Sequence, residues 1–194
     1  TSLFKGNKAN PVTPIAGFAT LKPGKVVSIK GQDGSVAEIS GKHIILGKPM
    51  GMNVAEADRM VDAVEAAGVS CLAFQGISRL RSADLKARID AGDIGDPVLL
   101  HHVCRWSIAE DWYRSGTPGW FADPRQVPGG AFIDEGIYWI ELFRWLAASE
   151  VVRVDARMAN LVHKDIAVED WGMATFSFAS GLVATLEASW TINA

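Results

Sequence analysis

His43-Ile-Ile-Leu46 and Val69-Ser-Cys-Leu-Ala-Phe74 are the two stretches whose reading decides the fold of this 194-residue chain. Both are short apolar runs of the kind expected for strands buried on both faces. Between them lie a loop, Gly47-Lys-Pro-Met-Gly51, and a segment with helical periodicity. Ala57, Met60, Val61, Val64 and Ala67 form an apolar stripe, while Glu56, Arg59, Asp62 and Glu65 fall off it. Asn53 suits the N-cap, Glu56 completes a capping box, and Gly68 supplies the C′ residue. Strand, helix and strand joined by short links make a βαβ unit, which predicts a parallel sheet.

Outward from this unit the texture changes on both sides. Residues 1–40 contain Lys25-Val-Val-Ser-Ile-Lys30, Gly31-Gln-Asp-Gly-Ser35 and Val36-Ala-Glu-Ile39, a hairpin-like pattern around a glycine-rich turn. Downstream, a capped helix is predicted over 82–91, with Leu85 and Ile89 on one face and Gly92 after it. A strand follows over 97–106. Residues 107–128 are polar and aromatic and too long for an idle connection, which suggests a functional loop. Gly129-Gly130 then opens an apolar helix over 131–147. From there the pattern is strand: Val152, Val154, Ala156 and Met158 alternate with Arg153, Asp155 and Arg157. Two further strands, over 171–179 and 182–190, flank the hairpin signal Ser180-Gly181. Leu182, Ala184, Leu186, Ala188 and Trp190 share one face of the last strand. The fold class read from this order is α/β plus α+β. A partial parallel sheet is followed by a mostly antiparallel open sheet packed on helices, and that second sheet looks unfinished where the chain stops.

Bulk properties bound the function. An apolar content of 48%, a charged content of 21% and a net charge of −3 are those of a soluble globular protein. The basic residues are scattered, which argues against a nucleic-acid partner. No apolar stretch reaches the roughly 20 residues that span a bilayer, and no signal-peptide segment opens the chain, so a membrane role is not expected and the cytoplasm is. Cys71 and Cys104 sit in apolar runs and read as buried free thiols in a reducing compartment. His43, His101, His102 and His163 have no metal-ligand spacing. There is no P-loop and no G-x-S-x-G elbow.

Three features carry chemistry. Lys48 follows a buried strand at its carboxyl end, where ligands bind in open parallel sheets. Partial shielding there would lower its pKa and suit it to proton transfer or carbonyl polarisation. A solvated loop lysine is the plain alternative. Pro49 beside it fixes the backbone and is a candidate for a cis bond. Asp134 and Tyr138, four apart, share a helix face, with Asp134 in the first turn where the dipole favours a carboxylate. A carboxylate beside a phenol can orient it and relay a proton. A helix-capping acid and a half-buried aromatic are the alternatives. Trp106, Trp112 and Trp120 interleaved with Arg105, Arg114 and Arg125 suit a sugar ring, a phosphate-bearing cofactor or a subunit interface equally.

The order of these features resembles a known family. Gly41-Lys-His-Ile-Ile-Leu-Gly-Lys-Pro-Met50 with Glu56-Ala-Asp58 is similar to the E-K-P segment of the Gfo/Idh/MocA oxidoreductases. The likeness continues through Ile89-Asp-Ala-Gly-Asp-Ile-Gly95, Gly129-Gly-Ala-Phe-Ile-Asp-Glu-Gly-Ile-Tyr138, Leu142-Phe-Arg-Trp-Leu146, Val168-Glu-Asp170 and Ser189-Trp190. It covers about residues 41–190.

The resemblance implies a division into an atypical segment over 1–40, the second half of a Rossmann-like domain over 41–75, and a substrate and oligomerisation domain over 76–194. It implies hydride transfer between NAD or NADP and a hydroxyl or carbonyl carbon of a sugar, polyol or related small molecule. Lys48, Asp134 and Tyr138 would be the catalytic residues. Gly47, Lys48, Pro49, Gln75 and Trp120 would contact the cofactor, and Arg105, Asp134 and Tyr138 the substrate. A homo-oligomer would form through the open sheet. Three departures accompany this. Gly47 replaces the glutamate before the lysine, Tyr138 replaces a histidine, and residues 1–40 contain no G-x-G-x-x-G. Tyrosine has a reference pKa of about 10 and is a weak base near neutrality unless Lys48 lowers it. A non-redox member of the superfamily (a nucleotide-assisted lyase or hydrolase) or an inactive binding or assembly subunit is the alternative.

Overall fold

A computed structural model describes residues 13, 15, 17–22, 24–73, 77–107 and 118–192; the side chain of Ile77 is not among them. Gln75, Trp112 and Arg114, along with the end of the second apolar run at Phe74, lie outside the described residues. The architecture is mixed α/β, with parallel and antiparallel sheets packed on helices. The chain divides into two compact units, residues 1–46 with 54–73, and residues 47–53 with 74–194.

In the first unit, β1 (Phe18–Lys22), β2 (Val26–Lys30) and β3 (Val36–Ser40) form an antiparallel meander in the order β1-β2-β3. The turn between β2 and β3 is the glycine-rich one expected, closed by Gly31 N–H donating to the Ser35 carbonyl at 2.8 Å. β4 (His43–Leu46) and β5 (Ser70–Ala73) pair in parallel, joined through α1 (Val54–Ala67). The βαβ reading is therefore correct. α1 ends as its glycine predicts: Gly68 is left-handed (φ +59°), its N–H donates to Glu65, and Val69 N–H reaches back to Val64. That pair of bonds is the Schellman arrangement. The burial expected of these strands is not found. Ile45 and Leu72 stand opposite each other across β4 and β5, and they are 74% and 57% exposed. A two-stranded sheet under a single crossover helix has one covered face only, so an apolar run here does not mean burial on both.

The second unit is a four-stranded sheet, order β6-β9-β8-β7, carrying one long helix on one face. Its strands are β6 (Leu99–Arg105), β7 (Val151–Ala159), β8 (Trp171–Phe178) and β9 (Val183–Ser189). β7, β8 and β9 are antiparallel, while β6 runs parallel to β9 at the far edge. The helix, α4 (Ala131–Ala147), has the predicted bounds. Two short helices precede β6: α2 (Ile77–Arg81), which the sequence did not signal, and α3 (Ala83–Asp90). Ser82 does not cap α3 with its hydroxyl. Its N–H bonds Ser78 and Arg79 instead, so α2 runs almost continuously into α3.

The core is the α4-facing side of this sheet. Phe132 and Phe143 of α4 pack on Ala174, Phe176 and Phe178 of β8 and on Ala184, Leu186 and Ala188 of β9. Leu182, Ala184, Leu186, Ala188 and Trp190 are all buried, as their alternation predicts. A second cluster joins Trp190 and Ala131 to Val127, Ile166 and Val168, beside the start of α4. Cys71 and Cys104 are free thiols, but each is half-buried rather than buried. Both lie on short or edge strands that lack full cover. Among the described residues, no helix is long and apolar enough to cross a membrane.

Candidate active site

Lys48, Asp134 and Tyr138 meet within the second unit. The Lys48 ammonium donates to the Asp134 carboxylate Oδ1 and to the Asp134 backbone carbonyl, both at 2.5 Å. The two side chains are 17% and 14% exposed, so the pair is shielded but reachable from solvent. The ammonium also lies over the Tyr138 ring, 4.7 Å from its centroid. This is a cation–π contact with the ring face, whereas both hydrogen bonds of Lys48 go to Asp134. The Lys48–Pro49 peptide bond is cis.

These residues line a cavity of about 310 Å³ with Pro49, Trp120, Phe121, Val127, Pro128, Gly129 and Ile133. One wall carries charge and a phenol. The other is apolar and aromatic, with the Trp120 and Phe121 rings tilted at 45° and 4.2 Å apart. A few convergent polar groups on an apolar wall is the usual make-up of a small-molecule site. The volume lies at the small end of the range of about 300–1,000 Å³ for such sites, room for one ring-sized group and a small partner. Gly47 does not line the cavity but adjoins Lys48 in the chain, and a Cβ added to it would meet nothing within 4 Å.

Arg105, expected among the substrate contacts, is not brought to this cleft. Its guanidinium makes a bidentate pair with Glu187, both bonds 2.9 Å, on the sheet face away from α4. Its neighbour Cys104 faces α4 and contacts Glu135, and alternation along the strand sends Arg105 the other way. Arg125 folds back on Asp123 in a local turn. Among the described residues, no cluster of His, Cys, Asp and Glu could hold a metal. His102 stacks on Trp139 with centroids 3.3 Å apart, and burial lowers its pKa.

Behind the pair sits a second carboxyl. Burial first, then the Asp134 charge, pushes Glu135 above its ordinary value, against the pull of Lys48 and of hydrogen bonds from Cys104 and Trp106. The Cys104 thiol is raised as well, by burial and then by Glu135. Sequence reading missed Phe121, Val127, Pro128 and Ile133 as cavity walls. The signal was available, because Val127-Pro128 directly precedes the Gly-Gly pair and Ile133 the aspartate.

A sequence model of the GFO/IDH/MocA C-terminal domain matches residues 82–194. The chain belongs to this family. Among curated relatives it is 28% identical over 159 residues to scyllo-inositol 2-dehydrogenase (NAD(+)) of Bacillus subtilis (strain 168), covering 78% of this chain and 43% of that one. It is 29% identical over 154 residues to Myo-inositol 2-dehydrogenase of Thermotoga maritima, covering 76% and 42%. Among solved structures it aligns to the WlbA dehydrogenase of Bordetella pertussis in complex with NADH and UDP-GlcNAcA at a TM-score of 0.67 and 25% identity, covering 78% and 45%. The chain thus spans less than half the length of these relatives.

Proposed function

We propose that this chain carries the substrate side and the nicotinamide end of the active site of an NAD(P)-dependent oxidoreductase. It acts on a hydroxyl or carbonyl carbon of a sugar, polyol or related small molecule. The observation that carries the reading is the convergence of the Lys48 ammonium, the Asp134 carboxylate and the Tyr138 phenol on one cavity with an aromatic wall. The relatives named as inositol dehydrogenases support the polyol class.

The cavity fits one ring of the cofactor rather than a whole dinucleotide, and Lys48, Pro49 and Trp120 are the residues that would hold that ring. When bound, the nicotinamide accepts or returns a hydride. The chain supplies the rest. An ammonium has three N–H donors, and Asp134 engages two of those of Lys48. The third can donate to the reacting oxygen of the substrate and stabilise negative charge developing there. The Asp134 carboxylate accepts from a substrate hydroxyl and orients it. Tyr138 Oη exchanges the proton of the reacting hydroxyl. The Phe121 ring, tilted against Trp120, offers apolar surface to the C–H side of a polyol and excludes water.

The other roles follow the same reading. The sheet face away from α4, which holds Trp171 and Met173, is the self-association surface, and the free thiols suit a reducing, cytoplasmic setting. The test is NAD+- or NADP+-dependent oxidation of myo-inositol and scyllo-inositol, followed at the reduced nicotinamide absorbance, with Lys48→Ala beside the unaltered chain. Turnover that falls by about 100-fold or more in Lys48→Ala supports the reading, since one lost charge-stabilising donor removes that much. Turnover untouched by the substitution rules it out.

A further inference from the structure

The first turn of α4 has three consecutive amides that share one partner residue. Gly130 N–H donates to Glu169 Oε2 at 2.8 Å, and Phe132 N–H donates to Glu169 Oε1 at 3.2 Å. Ala131 N–H donates to the Glu169 backbone carbonyl at 2.9 Å. A helix start leaves such donors without intrahelical partners, and a residue at the N-cap itself commonly serves them. Here the N-cap is Gly130, which has no side chain, and the cap comes from a loop 39 positions away. The approach needs that glycine: a Cβ on Gly130 would lie 1.9 Å from the Glu169 carbonyl oxygen.

The loop that presents Glu169 is itself fixed. Asp170 is fully buried and accepts from the N–H groups of Leu161, Val162 and His163 at 2.7, 2.8 and 2.7 Å. Its own carbonyl accepts from Trp190 N–H at 2.8 Å. Asn160 Nδ2 donates to the carbonyls of His163, Ile166 and Val168. Glu169 is therefore a rigid stop against which the first turn of α4 is set.

The active-site pair stands on that turn. Asp134 N–H donates to the Gly130 carbonyl at 2.9 Å, and Lys48 bonds both the side chain and the backbone carbonyl of Asp134. A shift of the first turn thus moves both acceptors of Lys48 together. We infer that Glu169 is a positioning residue, which sets the Lys48–Asp134 pair by clamping the Gly130, Ala131 and Phe132 amides. The inference rests on the proposed active site for its functional meaning, but the clamp is a statement about this chain alone. Glu169 touches neither Lys48 nor the cavity, and acts through α4.

The test reads the Lys48 ammonium directly. In the ¹⁵N-labelled chain, a lysine ammonium held by two acceptors gives a distinct Nζ resonance. Asp134→Asn is the reference that displaces it. Glu169→Ala is expected to displace the same resonance while the chain stays folded, and to speed hydrogen exchange at the Gly130 and Phe132 amides by roughly tenfold, the factor for a lost cap. Should Glu169→Ala not fold, the near-isosteric Glu169→Gln replaces it, with a smaller displacement in the same direction expected. An Nζ resonance moved by Asp134→Asn but not by either folded Glu169 variant overturns the positioning role and leaves the site reading intact. A resonance indifferent to Asp134→Asn shows that the pair does not form, which removes the site reading and the positioning role together.

Discussion

Gly130→Ala is the substitution that strikes the architecture where fold and site meet. Gly130 sits at the N-cap of α4 with φ −96° and ψ −132°. The damage is steric. The added Cβ would stand 1.9 Å from the Glu169 carbonyl oxygen, 2.9 Å from its carbon and 3.0 Å from its nitrogen. All three are backbone atoms and cannot swing aside. Relief requires the two backbones to separate by roughly 1 Å, which carries the three amide bonds of the clamp, now 2.8–3.2 Å, past the hydrogen-bonding range. One is a neutral bond and contributes about 1 kcal/mol, while the two to a carboxylate contribute about 1.5–3 kcal/mol each. Water reclaims part of that at a partly open helix end. The expected loss is about 3 kcal/mol, seen in urea unfolding as a lower midpoint at unchanged slope. Gly136→Ala is the comparison. Its Cβ would press on the movable end of Leu186 at 3.3 Å and meet the Phe132 ring in ordinary contact at 3.8 Å, within a helix that gains from alanine, so a change within about 1 kcal/mol is expected. A loss under about 1 kcal/mol for Gly130→Ala would refute the clamp.

Further outcomes concern the titrating groups. The folded state holds the proton of Glu135 to higher pH than the unfolded chain, so the stability it contributes is present at acid pH and lost as pH rises through its folded value. Glu135→Gln removes that loss. Urea midpoints should therefore favour the variant most at neutral pH and least below the ordinary glutamate range; a difference independent of pH would contradict this. Asp170 has the opposite sign. Burial alone would raise it, but three backbone donors outweigh burial and hold it below 3.8. Its contribution is present above that unfolded value and lost as pH falls through the lower folded one. Asp170→Asn should lower the melting temperature at neutral pH and flatten the acid limb of the melting curve, an effect absent if the carboxylate is not bonded. Cys104, raised by burial and by Glu135, should react slowly with a thiol reagent in the folded chain and quickly once unfolded. Equal rates in the two states would refute that burial.

The parts of this fold that were legible are those with a local period or a local stop. The 3.6-residue stripe and Gly68 gave α1 and its end, Gly129-Gly130 marked the start of α4, and Ser180-Gly181 marked the β8–β9 turn, where Gly181 is left-handed (φ +90°). The Asp134/Tyr138 spacing showed a shared face by the same logic. What failed depends on partners distant in the chain. Apolarity in β4 and β5 states what a strand could bury and not whether a layer covers it, so Ile45 and Leu72 were misread. The face that Arg105 takes, away from the cavity, is set by strand register, which a single strand does not show on its own. Lys48 and Asp134, 86 positions apart, were joined only through ordered motifs, and Glu169 lay in such a motif without any signal of its role.

The most direct test of the central claim is a ligand titration of the ¹⁵N-labelled chain with NAD+ and with myo-inositol, followed at the Lys48 Nζ and Tyr138 ring resonances. The account predicts that both resonances shift and saturate within the millimolar range, and that Lys48→Ala weakens the effect at Tyr138. Resonances that stay in place with both ligands, in a chain that is otherwise folded, would contradict it.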